Sequence, residues 1–163
     1  MSNNVRHTIA KWIFKQSRGF DELPPEDSTI TYAKALFICA SGDGEIAPAE
    51  KDWIMGLTAA KGASDSDIEE LKNYPATDSL EQVIASNDHI SGNARHAIIY
   101  DAIGACSADG AYQEGEKAAV RKAATLIGVS EDVVQQLEEL YAEEKKLFDR
   151  KIQLFYPTGH PYG

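Results

Sequence analysis

The sequence predicts an all-α protein, and three observations carry that reading. Apolar residues recur at three- and four-residue steps along most of the chain. No segment alternates with period two for long enough to form a strand. Glycine, proline and capping residues punctuate the sequence at helix-length intervals. The expected architecture is a compact domain of about seven or eight helices, built on two repeated helix–Asp-Gly turn–helix units.

The elements follow in order. Val5, Ile9, Trp12 and Ile13 form one apolar stripe on a first helix that Gly19 ends. Phe20 to Asp27, with Pro24-Pro25, is a connector that no helix crosses. A second helix runs from about Ser28 to Ala40, with Ile30, Ala33, Phe37 and Ala40 on one face. The turn Ser41-Gly42-Asp43-Gly44 breaks it, Pro48 suits the first position of a third helix, and Gly62 marks that helix's end. Ser64 caps a short helix that stops before Pro75. Thr77-Asp78 opens another that ends near Asn87, and Ser91 opens one that reaches Ser107. A helix after Asp109-Gly110 is stopped by Gly128. The last helix starts at Ser130 and carries Val133, Leu137, Leu140, Tyr141, Leu147 and Phe148.

The most informative feature is an internal repeat. A shift of 66 residues places Ser41 on Ser107, Asp43 on Asp109, Gly44 on Gly110 and Glu50 on Glu116. The same shift aligns Lys51 with Lys117, Gly62 with Gly128, Ser64 with Ser130 and Leu71 with Leu137, without a gap. The chain is expected to be one domain, 1–163. It divides into an N-terminal helix and linker (1–28), repeat one (30–72), repeat two (96–138) and a C-terminal tail (156–163). The two Asp-Gly turns then lie either together or at opposite ends.

Composition narrows the function. Sixteen Lys and Arg against 26 Asp and Glu leave a net charge of −10. That argues against a nucleic-acid binder, which needs a basic stripe to displace counterions, and favours a cation or a basic partner. No apolar run reaches the roughly 18 residues of a membrane span. The N-terminus lacks the basic-then-apolar order of a signal peptide, and Cys39 and Cys106 make no disulfide framework. The expected location is therefore the cytoplasm.

The repeated turns carry the candidate chemistry. In each, Asp-Gly is followed six residues after the glycine by Glu, so the turn folds one carboxylate towards a helix start that holds another. Converging carboxylates suit a hard divalent cation such as Ca²⁺, Mg²⁺ or Mn²⁺, with Zn²⁺ the softer option. Glu45 adds a third oxygen donor in copy one, where copy two has Ala111.

Two other readings compete. With Gly44 at position six of a calcium EF-hand loop, Asp43 falls at five, Ile46 at eight and Glu50 at twelve. Positions one and three would be Cys39 and Ser41, or Ala105 and Ser107, so such a calcium sensor would be degenerate. In the second reading Glu50 and Glu116 sit at the third position of their helices, reaching back to the N-caps Ala47 and Gln113. Asp43 and Asp109 are then Asx-turn residues. Neither cap is Ser or Thr, so the box lacks that half in both copies.

The repeated Ala/Ser-x-Asp-Gly-x-x-x-x-x-Glu, leading into a helix that ends at Gly and a capped Ser, resembles the TerB-like tellurite-resistance proteins. The matching stretches are Ser41 to Glu50 with Gly62-Ala63-Ser64, and Ser107 to Glu116 with Gly128-Val129-Ser130, so the resemblance spans roughly residues 30–140. It implies a compact cytoplasmic helical domain whose acids chelate a divalent metal, in tellurite and chemical-stress resistance. By motif position those acids are Asp43, Glu45 and Glu50, then Asp109 and Glu116. The expected role is non-catalytic, because no nucleophile, phosphate loop or cofactor fingerprint accompanies the acids. The expected partner is a protein, such as another stress-resistance component, rather than a nucleic acid. The alternative is an acidic helical interaction module whose turns are purely structural.

Cys39 and Cys106 read as buried small hydrophobes ahead of a soft-metal pair. His89 and His96 lack zinc-ligand spacing, and His7 and His160 read as exposed. The aromatic, Lys- and Arg-free C-terminus (155–163) either docks or frays.

Overall fold

The computed structural model describes residues 2–162, except the side chains of Asn3 and Asp43. Among the described residues it holds nine α-helices and one 3-10 turn, and no strand. The helices are α1 (Asn3–Arg18), α2 (Glu26–Ala40), α3 (Pro48–Ala60), α4 (Asp65–Lys72), α5 (Leu80–Ala85), α6 (Asp88–Asn93), α7 (Arg95–Cys106), α8 (Glu114–Leu126) and α9 (Glu131–Phe155); the 3-10 turn is Ser41–Asp43.

Local chemistry sets most of these limits. The Ser64 hydroxyl accepts from Asp67 N–H at 3.1 Å and the Ser130 hydroxyl from Val133 N–H at 3.4 Å. α3 and α8 begin and end 66 residues apart, and α4 and α9 begin at the same offset. The helix expected over Ser91 to Ser107 is instead two. Asn87 Oδ1 accepts from the backbone N–H groups of His89 and Ile90 at 3.1 and 3.2 Å, which starts α6 early. Arg95 then bridges two helix ends, donating to Ser91 O at 2.6 Å and to Ile127 O at 3.2 Å.

The core is built around α2 and α7, which pack on each other and on α3 and α8. Leu36, Phe37, Ile54, Ile98, Ile99, Ile103, Val120 and Val134 are fully enclosed. α2 and α7 are buried on nearly all sides, which explains their apolar composition.

The outer helices depart from the expected faces. In α1 the packed residues are Ala10 and Phe14, while Val5, Ile9 and Trp12 face solvent. A small residue wins there because α1 lies close to the end of α3: a Cβ on Gly62 would stand 3.1 Å from Ala10 Cβ. In α9 the face carrying Val134, Leu137 and Tyr141 packs on the body, whereas Leu147 and Phe148 farther along are exposed. The described tail residues, 156–162, are exposed as well. No described helix is long and apolar enough to cross a membrane.

Candidate functional site

Each Asp-Gly turn requires the glycine that follows its Asp. Gly44 has φ 139° and Gly110 has φ 100°, in the region that L side chains rarely enter. The apolar residue two positions after each glycine, Ile46 or Tyr112, packs against the core and anchors the loop. The first turn sits against α8, with the Gly42 Cα close enough that a Cβ there would lie 3.1 Å from Ala119 Cβ. Ala119 follows Glu116 by three residues, so the two share a helix face. The first turn therefore lies beside the helix that the second turn starts.

The predicted acids take different positions. Glu50 and Glu116 are buried, 4% and 9% exposed. Ala47 N–H donates to Glu50 Oε2 at 2.6 Å, and Gln113 N–H donates to Glu116 Oε2 at 2.6 Å. Both glutamates thus hold their helix starts as half of a capping box. Asp109 is exposed, and its Oδ1 accepts from Ala111 N–H at 3.1 Å in an Asx turn. Glu45 is exposed, and the Asp43 carboxylate lies outside the described side chains. Among the described residues, no three His, Cys, Asp or Glu gather as a metal would require.

The neighbouring lysines are committed elsewhere. Lys51 Nζ donates to Lys72 O at 2.7 Å, tying α3 to α4, and Lys117 Nζ pairs with Glu114 at 3.0 Å. Glu45 and Asp109 have no ion pair among the described residues. Their charge is left to solvent and mobile cations.

Cys39 and Cys106 are both buried, and burial pushes the Cys39 thiol up to about 12, so it packs as a small hydrophobe. His7, His89, His96 and His160 are exposed.

A second polar constellation escaped sequence reasoning. Asp101, on α7, is 3% exposed among apolar neighbours. Arg18 Nη2 donates to its Oδ1 at 2.8 Å and its Oδ2 at 2.5 Å, which fastens the end of α1 to the core. Tyr32 OH donates to Oδ2 at 2.6 Å, and Lys61 Nζ reaches the same oxygen at 3.3 Å. Lys61, 8% exposed, also stands 3.9 Å from the Tyr32 ring centroid. Burial pushes its ammonium down to about 8 despite the pull of Asp101. Burial and then the neighbouring carboxylate hold the Tyr32 phenol well above its ordinary value. The repeat offset maps Asp101, Tyr32 and Lys61 onto Ala35, Ile98 and Ile127, all apolar and buried. The one signal in the sequence was a carboxylate inside the apolar run Ile98-Ile99-Tyr100-Asp101-Ala102-Ile103.

No family model and no curated protein matches the chain. Among solved structures, a tellurite resistance protein from Nostoc punctiforme shares the fold at a TM-score of 0.92 and is 40% identical. The alignment covers 99% of this chain and 100% of that one. The likeness therefore takes in the N-terminal helix and the C-terminal segment as well as the repeated turns.

Proposed function

Since the chain belongs to the TerB-like tellurite-resistance family, we propose that it is a non-catalytic accessory protein of tellurite and chemical-stress resistance. In this reading its acidic turns take up a divalent cation. The supporting observation is the uncompensated charge of Glu45 and Asp109, beside lysines engaged elsewhere.

The donors are all carboxylate oxygens, which fit a hard cation in kind. They do not fit one in number: Glu50 and Glu116 each spend an oxygen on a helix start, and the described residues form no three-donor group. A cation held this way keeps most of its water and binds weakly, with Kd of about 10⁻⁴ M or above, the weak end of the calcium range, because affinity falls with the number of charged ligands. Calorimetric titration with Ca²⁺, Mg²⁺, Mn²⁺ and Zn²⁺ tests this. Weak heats that vanish in an Asp43→Asn/Asp109→Asn double variant support the reading, and equal heats from the variant end it.

The capping role of Glu50 and Glu116 favours a second reading, an acidic interaction module with structural turns. Capture of a basic protein partner that weakens with salt and ignores chelator supports that alternative.

A further inference from the structure

A cavity of about 330 Å³ adjoins the Asp101 cluster. It is roughly twice the size of a cavity that accepts a benzene ring, and it falls at the lower end of ligand sites. Phe14, Phe20, Ile90 and Ala97 make its apolar wall, and Arg18 and Lys61 supply its cationic end.

The charges at that end do not balance. Two cations, Arg18 and Lys61, share one carboxylate, Asp101. Asp101 already accepts from Arg18 on both oxygens and from Tyr32. Lys61 takes the remaining approach at 3.3 Å, and otherwise lies against the rings of Tyr32 and Phe14, at 3.9 and 5.9 Å from their centroids. An ammonium has three donors, and this one spends a single donor on a long bond.

Neither the anchoring of α1 nor the repeat pattern calls for an ammonium at that position. Arg18 alone fastens α1 to Asp101, and the repeat counterpart of Lys61 is the buried Ile127. An apolar side chain there avoids the cost of desolvating a cation. The other titratable groups nearby, Asp88 and His89 at the mouth, Glu26 on the far side of Lys61 and Glu144 acting on Arg18, are exposed and screened, so Asp101 is the one buried carboxylate among these groups.

We infer that this cavity binds a small organic carboxylate, its anionic head between Lys61 and Arg18 and its apolar body against Phe14, Phe20 and Ile90. The bound carboxylate brings the cluster to two cations and two anions. The acidic turns take no part, so this site stands or falls independently of metal binding.

Calorimetry with 3-phenylpropionate as the probe tests the assignment, with 3-phenylpropionamide and inorganic sulfate as controls. The wild type binds the acid; Lys61→Arg retains binding, and Lys61→Met weakens it about ten- to hundredfold, the range expected for a lost charge-assisted hydrogen bond. The amide and sulfate bind the wild type at least about tenfold more weakly than the acid. Lys61→Met melts at or above the wild-type temperature, because a buried cation has been replaced by an apolar side chain of similar length. Equal affinity of wild type and Lys61→Met for the acid, equal affinity for acid and amide, sulfate as tight as the acid, or no binding of the acid overturns the site. The acid–amide comparison uses wild type alone, so it decides the matter even where a variant folds poorly.

Discussion

Replacing Asp101 by Asn removes one charge without changing the side chain's size, and it strikes a buried acid bonded on both oxygens. Four donor contacts reach its two oxygens, from Arg18 twice, from Tyr32 and from Lys61. In the variant, two cations remain at the site without a buried counterion, and an amide NH₂ faces donors where an acceptor stood. Removal of one partner from a buried pair costs about 3–5 kcal/mol. Arg18 keeps some contact with solvent, with a side chain 19% exposed against 6% for Lys61. Arg18 can therefore swing outward, which favours the lower figure. At roughly 2–4 °C per kcal/mol for a chain of this size, a 3 kcal/mol loss lowers the melting temperature by about 6–12 °C. Thermal unfolding followed by circular dichroism at pH 7 reads this directly. Adding Lys61→Met to Asp101→Asn removes one stranded cation, so the double variant is more stable than Asp101→Asn alone. A melting temperature within about 2 °C of wild type for the single variant contradicts the reasoning, given that 3 kcal/mol demands several degrees. So does a double variant less stable than the single.

Three further outcomes follow from the same geometry. Gly104→Ala puts a Cβ 2.7 Å from Trp53 Cζ2, so chemical denaturation should show a loss of about 1–3 kcal/mol, with altered tryptophan fluorescence. Glu116→Ala frees the Gln113 N–H at the start of α8 and should cost about 0.5–2 kcal/mol; Asp109→Asn, on an exposed turn, should stay within about 0.5 kcal/mol. Lys61 titrates near 8 in the fold against 10.5 as its ordinary value, so above pH 8 the unfolded chain holds a proton that the fold has released. Wild-type stability therefore rises relative to Lys61→Met as pH goes from 7 to 9, and the titration of Cys39, common to both proteins, cancels from the difference. Parallel pH–stability curves for the two proteins exclude a buried ammonium.

The helical class, the Asp-Gly turns and the Ser and Gly punctuation were legible because each depends on residues within a few positions of one another. The third-position glutamates were legible in the same way, since the spacing from Ala47 to Glu50 and from Gln113 to Glu116 is local. Their burial was not, and it accompanies the commitment of one carboxylate oxygen of each to a helix start. The α1 face was misread because Ala10 fits the close approach of Gly62 and Trp12 does not. The α9 stripe continues in sequence beyond the point where the body ends, so only its first half packs.

By itself, then, the amino-acid order determined which segments coil, where they stop and which acids recur at the bends, all consequences of short-range hydrogen bonding and backbone freedom. Only the tertiary structure decided which faces find neighbours. It alone gathered Arg18, Tyr32 and Lys61 around Asp101 across 83, 69 and 40 residues, because burial and long-range ion pairing depend on packing that no local pattern encodes.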